Sequence, residues 1–129
     1  LAAVMLLILF PENEFLGATL PKIDIWRVFL FEVILTFFLM LVIINVSTGS
    51  KETGIMAGIA IGGVVWFEAQ FAGPITGASM NPARSIGPAI ISGHIEHLWL
   101  YILAPIVGAI LAVMSCKLVK DEHCCNDNC

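Results

Sequence analysis

Residues Gly73 to Pro88 read GPITGASMNPARSIGP. A run of glycine and small residues leads into Asn81-Pro82-Ala83-Arg84, and the pattern predicts a short helix starting there. Proline at the first helical position forfeits no hydrogen bond, because that N–H has no intrahelical partner. Asn81 then takes the N-cap, its side-chain oxygen placed to accept from the N–H of Ala83 or Arg84. The amide NH2 of Asn81 is left as a donor at the positive end of the helix. Long apolar segments flank the stretch on both sides, so these polar groups fall at membrane depth. Irregular backbone at that depth is tolerated only inside protein or along a wet cavity. The stretch reads as the lining of a pore.

Composition places the rest of the chain in a bilayer. Of its 129 residues, 59% are hydrophobic and 12% charged, with a mean hydropathy of +0.96. Soluble domains carry about 25% charged residues, which disfavours an ordinary globular enzyme. The net charge of −4 sits mostly at the ends and in loops, and no basic run points to nucleic acid. At about 20 apolar residues per crossing, there is room for three full spans.

Residues 1–10 are apolar but too short to cross, and no positive region precedes them as in a signal peptide. They read as the end of a transmembrane helix whose beginning is missing, which makes the chain a fragment. Residues 11–24 (PENEFLGATLPKID) hold two prolines, Gly17 and four charges and read as an extracytoplasmic loop. A first span is predicted over about 25–46, interrupted only by Glu32, Thr36 and Asn45. After a polar turn over 47–53, a second span runs over about 54–71, with Gly54, Gly58 and Gly62 four residues apart. The pore loop and its half-helix occupy 72–93, the helix running from Pro82 to about Ser92 and closed by Gly93. About ten residues at 1.5 Å each cover half of a ~30 Å hydrocarbon core.

The last span covers about 98–119, with Trp99 and Tyr101 at an interface and Ala104, Gly108 and Ala112 along one face. Small residues let helices approach closely in lipid. Lys51, Lys117 and Lys120 fall on one side of the membrane, against Lys22 and Arg27 on the other. That balance places the C-terminal tail, residues 121–129, in the cytoplasm.

GASMNPARS between two spans, followed by a half-length helix, resembles the aquaporin (major intrinsic protein) superfamily, and the resemblance runs nearly to Lys120. GPITGASMNPARSIGP is most similar to the nodulin-26-like channels and their bacterial relatives. The resemblance implies an all-α inverted-repeat bundle of which this chain is roughly the second half. It implies that Asn81, Pro82 and Ala83 form a pore motif meeting a second Asn-Pro-Ala at mid-membrane. The backbone carbonyls of Gly77, Ala78, Ser79 and Met80 would then form a ladder of acceptors. An arginine and the positive ends of half-helices exclude protons and cations from aquaporin pores, and the resemblance assigns Arg84 that place at the outer constriction. Three of the four selectivity positions map to Ala69, Ala78 and Arg84, the fourth belonging to the absent half.

Water-selective members usually carry His where Ala69 stands, which suggests a wider opening. Ser85 and Ala89, by contrast, stand as in water channels, so the two signals conflict. Glu32 and Thr36 match the Glu-x-x-x-Thr element that each half of the family carries. By that match, Glu32 accepts backbone N–H groups of the pore loop. The function implied is a passive channel subunit for water, with glycerol and metalloid hydroxides open as further small neutral solutes. It needs no cofactor and no chemistry. The partners implied are the missing N-terminal half and three further copies in a homotetramer, within the plasma or inner membrane.

Glu68 has no place in this pattern. It is left with three roles: reaching an outer vestibule, pairing with Arg84, or lying at a subunit contact. Gln70 faces the vestibule or the interface, and His94 and His97 border the outer loop. In the tail, His123, Cys124, Cys125 and Cys129 are metal-ligand types whose spacing fits no standard zinc motif, and a solvated tail with reduced thiols is the simpler reading. Two rival functions stay open from sequence: a non-conducting, truncated membrane interaction protein, and a metal-binding membrane protein acting through the tail.

Overall fold

The computed structural model describes residues 1–48 and 55–119. These form five helices: α1 (Ala2–Leu9), α2 (Ile25–Thr48), α3 (Ile55–Thr76), α4 (Pro82–Ser92) and α5 (Leu98–Val119). Three of them are long and apolar enough to cross a membrane, over Ile25–Ser47, Met56–Thr76 and Leu98–Leu118. The described residues contain no strand, so the architecture is all-α. The turn over 47–53 falls largely outside the described residues. So do Lys51, Lys120 and the tail ligand candidates His123, Cys124, Cys125 and Cys129.

Helix α2 is the centre of the bundle, packed against α5 over a long contact and against α3 over a shorter one. The α5 contact is close because Gly108 has no side chain. A methyl group there would overlap the carbonyl oxygen of Val33 and meet Thr36 Cβ at 3.0 Å. Ala104 and Ala112 on the same face are fully buried. Gly108→Ala is therefore expected to destabilise the protein by about 1–3 kcal/mol through overpacking. A thermal scan of the full-length protein in detergent, compared with its parent, reads this directly. An unchanged midpoint would mean that α2 and α5 are less tightly apposed.

One boundary and one side-chain placement differ from the sequence reading. Helix α3 continues five residues past Phe71, through Pro74 to Thr76. Proline removes one helical hydrogen bond, but bonds from neighbouring helices hold the last turn. The Tyr101 hydroxyl of α5 donates to the Thr76 carbonyl at 2.7 Å, and Thr76 itself donates to Glu32 of α2. The loop proper is thus shorter than 72–81 and begins at Gly77. Tyr101, expected at an interface, is fully buried for the same reason and packs with Val28 and Leu100. Trp99 does remain exposed, and its ring stacks on Phe29, with Trp26 edge-on beyond.

Candidate functional site

Helix α4 forms by local rules. Asn81 caps it in extended backbone (φ −150°, ψ 118°), and its Oδ1 accepts from the N–H of Ala83 at 3.0 Å. Pro82 takes the first helical position, and Gly93 ends the helix in the left-handed region at φ 81°. With Oδ1 occupied by the cap, the exposed side chain of Asn81 presents its NH2 to the open side of the half-bundle.

The loop before α4 bends against normal backbone preference. Gly77, Ala78 and Met80 all have positive φ, at 88°, 44° and 53°. Two of these carry side chains, for which the left-handed region costs about 1–2 kcal/mol each. One carboxylate holds the strained loop. Glu32, fully buried on α2, accepts from the N–H of Ser79 at 3.0 Å on Oε1 and of Met80 at 2.9 Å on Oε2. Its Oε1 also accepts from the Thr76 hydroxyl at 2.8 Å, and that hydroxyl accepts in turn from the N–H of Ala78 at 3.1 Å.

Three consecutive loop N–H groups, those of Ala78, Ser79 and Met80, are thereby drawn to one side. Each peptide is planar and trans, so the carbonyls of Gly77, Ala78 and Ser79 must point the other way. The Glu32 carboxylate in this way sets the direction of three acceptors it never touches.

A second network fixes the outer side. Arg84 can only donate, and its Nη1 makes a short hydrogen bond to the hydroxyl of Thr19 in the loop between α1 and α2. Thr19 Oγ1 lies 2.8 Å from Ser85 Oγ, and Ser85 Oγ lies 2.6 Å from Ser79 Oγ. Ser79 donates to the Asn81 carbonyl at 3.0 Å. The two ends fix the direction of every proton between them. Arg84 donates to Thr19, Thr19 to Ser85, Ser85 to Ser79, and Ser79 to a carbonyl that can only accept.

Thr19, Ser85, Thr76 and Tyr101 were all missed as site residues by sequence reasoning. Thr19 lies 66 residues from Ser85, and no local pattern marks it. Thr19→Val keeps the shape but removes the hydroxyl, leaving the Arg84 guanidinium without this acceptor and Ser85 Oγ without its donor. The expected loss is about 1–3 kcal/mol of stability, with Thr19→Ser close to the parent in the same thermal scan. Equal losses in both variants would point to packing rather than hydrogen bonding.

The remaining candidates are placed as follows. Thr36, paired with Glu32 from sequence, does not reach the loop: its hydroxyl donates to the carbonyl of Glu32 at 2.8 Å, within α2. Its part is in the contact with Gly108. Of the three mapped selectivity positions, Ala69 and Arg84 are exposed. The Ala78 methyl is instead packed with Leu35, Ala72 and Met80, so Ala78 faces the open side through its carbonyl. Glu68 makes no hydrogen bond with Arg84; it is buried between α2 and α3. Gln70 is exposed, and the His94 ring lies 5.3 Å from Phe15. Among the described residues no cluster of three His, Cys, Asp or Glu forms a metal site.

Three helices able to cross a bilayer, with a half-length helix entered through a polar loop, define an integral membrane protein. The chain belongs to the major intrinsic protein family, whose model matches residues 1–115. It is similar to nodulin-26 of Glycine max, 47% identical over 122 residues, which cover 93% of this chain and 45% of that protein. Aquaporin NIP3-1 of Arabidopsis thaliana is 50% identical over 92 residues, 71% of this chain and 28% of the relative. Aquaporin NIP1-4 of Oryza sativa subsp. japonica is 42% identical over 120 residues, 92% and 44%. The chain thus spans less than half the length of these relatives. The family is one of channels, not enzymes.

Proposed function

We propose that the intact protein is a passive channel for water and small uncharged solutes, with glycerol and metalloid hydroxides among the candidates. This chain supplies one wall of the pore. The observation that carries the reading is the opposition of donors and acceptors around the loop. Three loop carbonyls are turned away from Glu32, while the Asn81 amide and the Arg84 guanidinium offer donors on the exposed side. A neutral molecule moving in single file can exchange its water partners for these groups in turn, and a cation meets fixed positive charge and the positive end of α4.

In this reading, Ala69 and Arg84 contribute side chains to the selectivity filter, and Ala78 contributes its carbonyl. The remainder of the polypeptide supplies the opposite wall, four copies form a homotetramer, and the C-terminus lies in the cytoplasm of a plasma or inner membrane. The small methyl of Ala69 favours an opening wide enough for glycerol.

Stopped-flow light scattering on vesicles holding the full-length protein tests this. Sucrose should produce fast shrinkage, and glycerol should produce shrinkage followed by re-swelling. Water flux no faster than in protein-free vesicles would overturn the channel reading. Fast water flux without glycerol entry would overturn the wide filter alone.

A further inference from the structure

The loop between α1 and α2 reaches Arg84 through a turn that its own residues disfavour. Leu16 and Gly17 both have positive φ, at 47° and 82°. Glycine takes that region freely, but for a bulky side chain such as Leu16 it is an outlier that persists only where the surroundings impose it. One side chain does so. Asn13 Oδ1 accepts from the N–H groups of Phe15 and Leu16, each at 3.0 Å. An asparagine oxygen is suited to this, because it reaches the backbone two residues on and stands in for a turn carbonyl. The Ala18 N–H then closes the turn by donating to the Phe15 carbonyl at 2.7 Å. The turn is also moored to the helices beside it. The Asn13 N–H donates to the carbonyl of Phe10, at the end of α1, at 3.0 Å, and the Phe15 ring lies 5.3 Å from that of His94, just past α4. Leu16 itself is buried.

Thr19 follows directly on this turn. It is buried, and its hydroxyl is the only acceptor that the Arg84 guanidinium has among the described residues. Arginine carries a long side chain with much rotamer freedom, so an exposed guanidinium stands where its acceptor holds it. The position of Arg84 is therefore decided by the position of Thr19. Asn13 makes no hydrogen bond with either residue, and its influence passes through the backbone of residues 14–18. Without the Oδ1 acceptor, the exposed Phe15 N–H turns to water, but the part-buried Leu16 N–H loses its bond. Leu16 then has no reason to remain at positive φ, and the turn opens.

We propose that Asn13 is a positioning residue of the selectivity filter. The turn it closes sets the Thr19 hydroxyl, and the Thr19 hydroxyl holds the Arg84 guanidinium to one side of the opening. The inference rests on the channel reading, in which Arg84 faces the passing solute. When the turn opens, Thr19 leaves Arg84 and the released guanidinium swings into the path of the file.

Variants of the full-length protein in vesicles test this, with water permeability taken per folded protein. Asn13→Ala should lower permeability about fivefold, what the loss of one net hydrogen bond amounts to. Asn13→Asp keeps an acceptor at the same reach and should stay near the parent. Thr19→Val cuts the link, so Asn13→Ala added to it should lower permeability no further, the non-additivity expected of residues acting along one path. Parent-like flux in Asn13→Ala would overturn the proposal. So would an Asp variant as impaired as the Ala variant, or a full second loss on the Thr19→Val background. Amide hydrogen exchange over residues 16–20 in the same preparations reports on the loop alone, and it should be about fivefold faster in Asn13→Ala. A parent that passes no water would remove the channel and, with it, the filter role of Asn13. A conducting parent whose loop exchange is unchanged in Asn13→Ala would remove the role of Asn13 and leave the channel standing.

Discussion

Glu32→Ala in the full-length protein is expected to bring water permeability down to that of protein-free vesicles and to lower the yield of folded protein sharply. The carboxylate holds the N–H groups of Ser79 and Met80 and the hydroxyl of Thr76. Thr76 has a fallback, since its hydroxyl also lies 3.4 Å from the Ala72 carbonyl. The two backbone N–H groups have none in the described structure. Leaving them buried and unpaired costs about 2–6 kcal/mol together, at 1–3 each. The positive-φ residues Ala78 and Met80 would then lose the contacts that hold them in that region, and the loop carbonyls their common direction.

Glu32→Gln grades the effect. Its amide keeps one acceptor but sets an NH2 against one of the N–H groups, so a loss of about 1–3 kcal/mol is expected. Folded yield and stopped-flow shrinkage across the parent, Gln and Ala series measure both consequences. An alanine variant that folds and conducts like its parent would mean that the loop is held by something other than this carboxylate.

The second large effect is expected at Gly77. Its φ of +88° favours glycine on its own account, and a Cβ there would come within 2.5 Å of Thr19 Cγ2. Gly77→Ala therefore combines backbone strain of about 1–2 kcal/mol with displacement of the residue that positions Arg84. Conduction should fall at least tenfold, and Gly77→Val should not fold.

The two causes can be separated because the clash is with one methyl group. Thr19→Ser removes that methyl while keeping the hydroxyl that joins Arg84 to Ser85. Gly77→Ala should consequently cost less in the Thr19→Ser background than alone, by about 1 kcal/mol or more, the coupling expected of residues in contact. Additive losses in the double variant would show that strain alone governs the position.

The features legible in the chain are those that short stretches decide. Asn81, Pro82 and Gly93 set the start and end of α4 because capping depends on groups within a few residues of one another. The three spans follow from uninterrupted apolar length. Glu32 stood out because an acid in such a span needs donors, and the family's Glu-x-x-x-Thr element pointed to the loop as their source. The Asn-Pro-Ala-Arg run was enough to suggest the family to which the chain belongs.

What tertiary structure decided are the matters in which distant residues compete with local preference. Pro74 reads as a break, yet α3 continues to Thr76 because Tyr101 and Glu32, on two other helices, hold its last turn. Thr36 shares a helix face with Glu32, but its hydroxyl is taken by the backbone of its own helix and its side chain by Gly108. Thr19 has no sequence signature at all; it gains a role only because the loop bearing it folds over Gly77, Arg84 and Ser85. A hydrogen bond between residues tens of positions apart leaves no periodicity behind. The chain by itself therefore determined which segments cross the membrane and where the half-helix begins, while only the packed bundle decided which hydroxyls and carboxylates orient the loop between them.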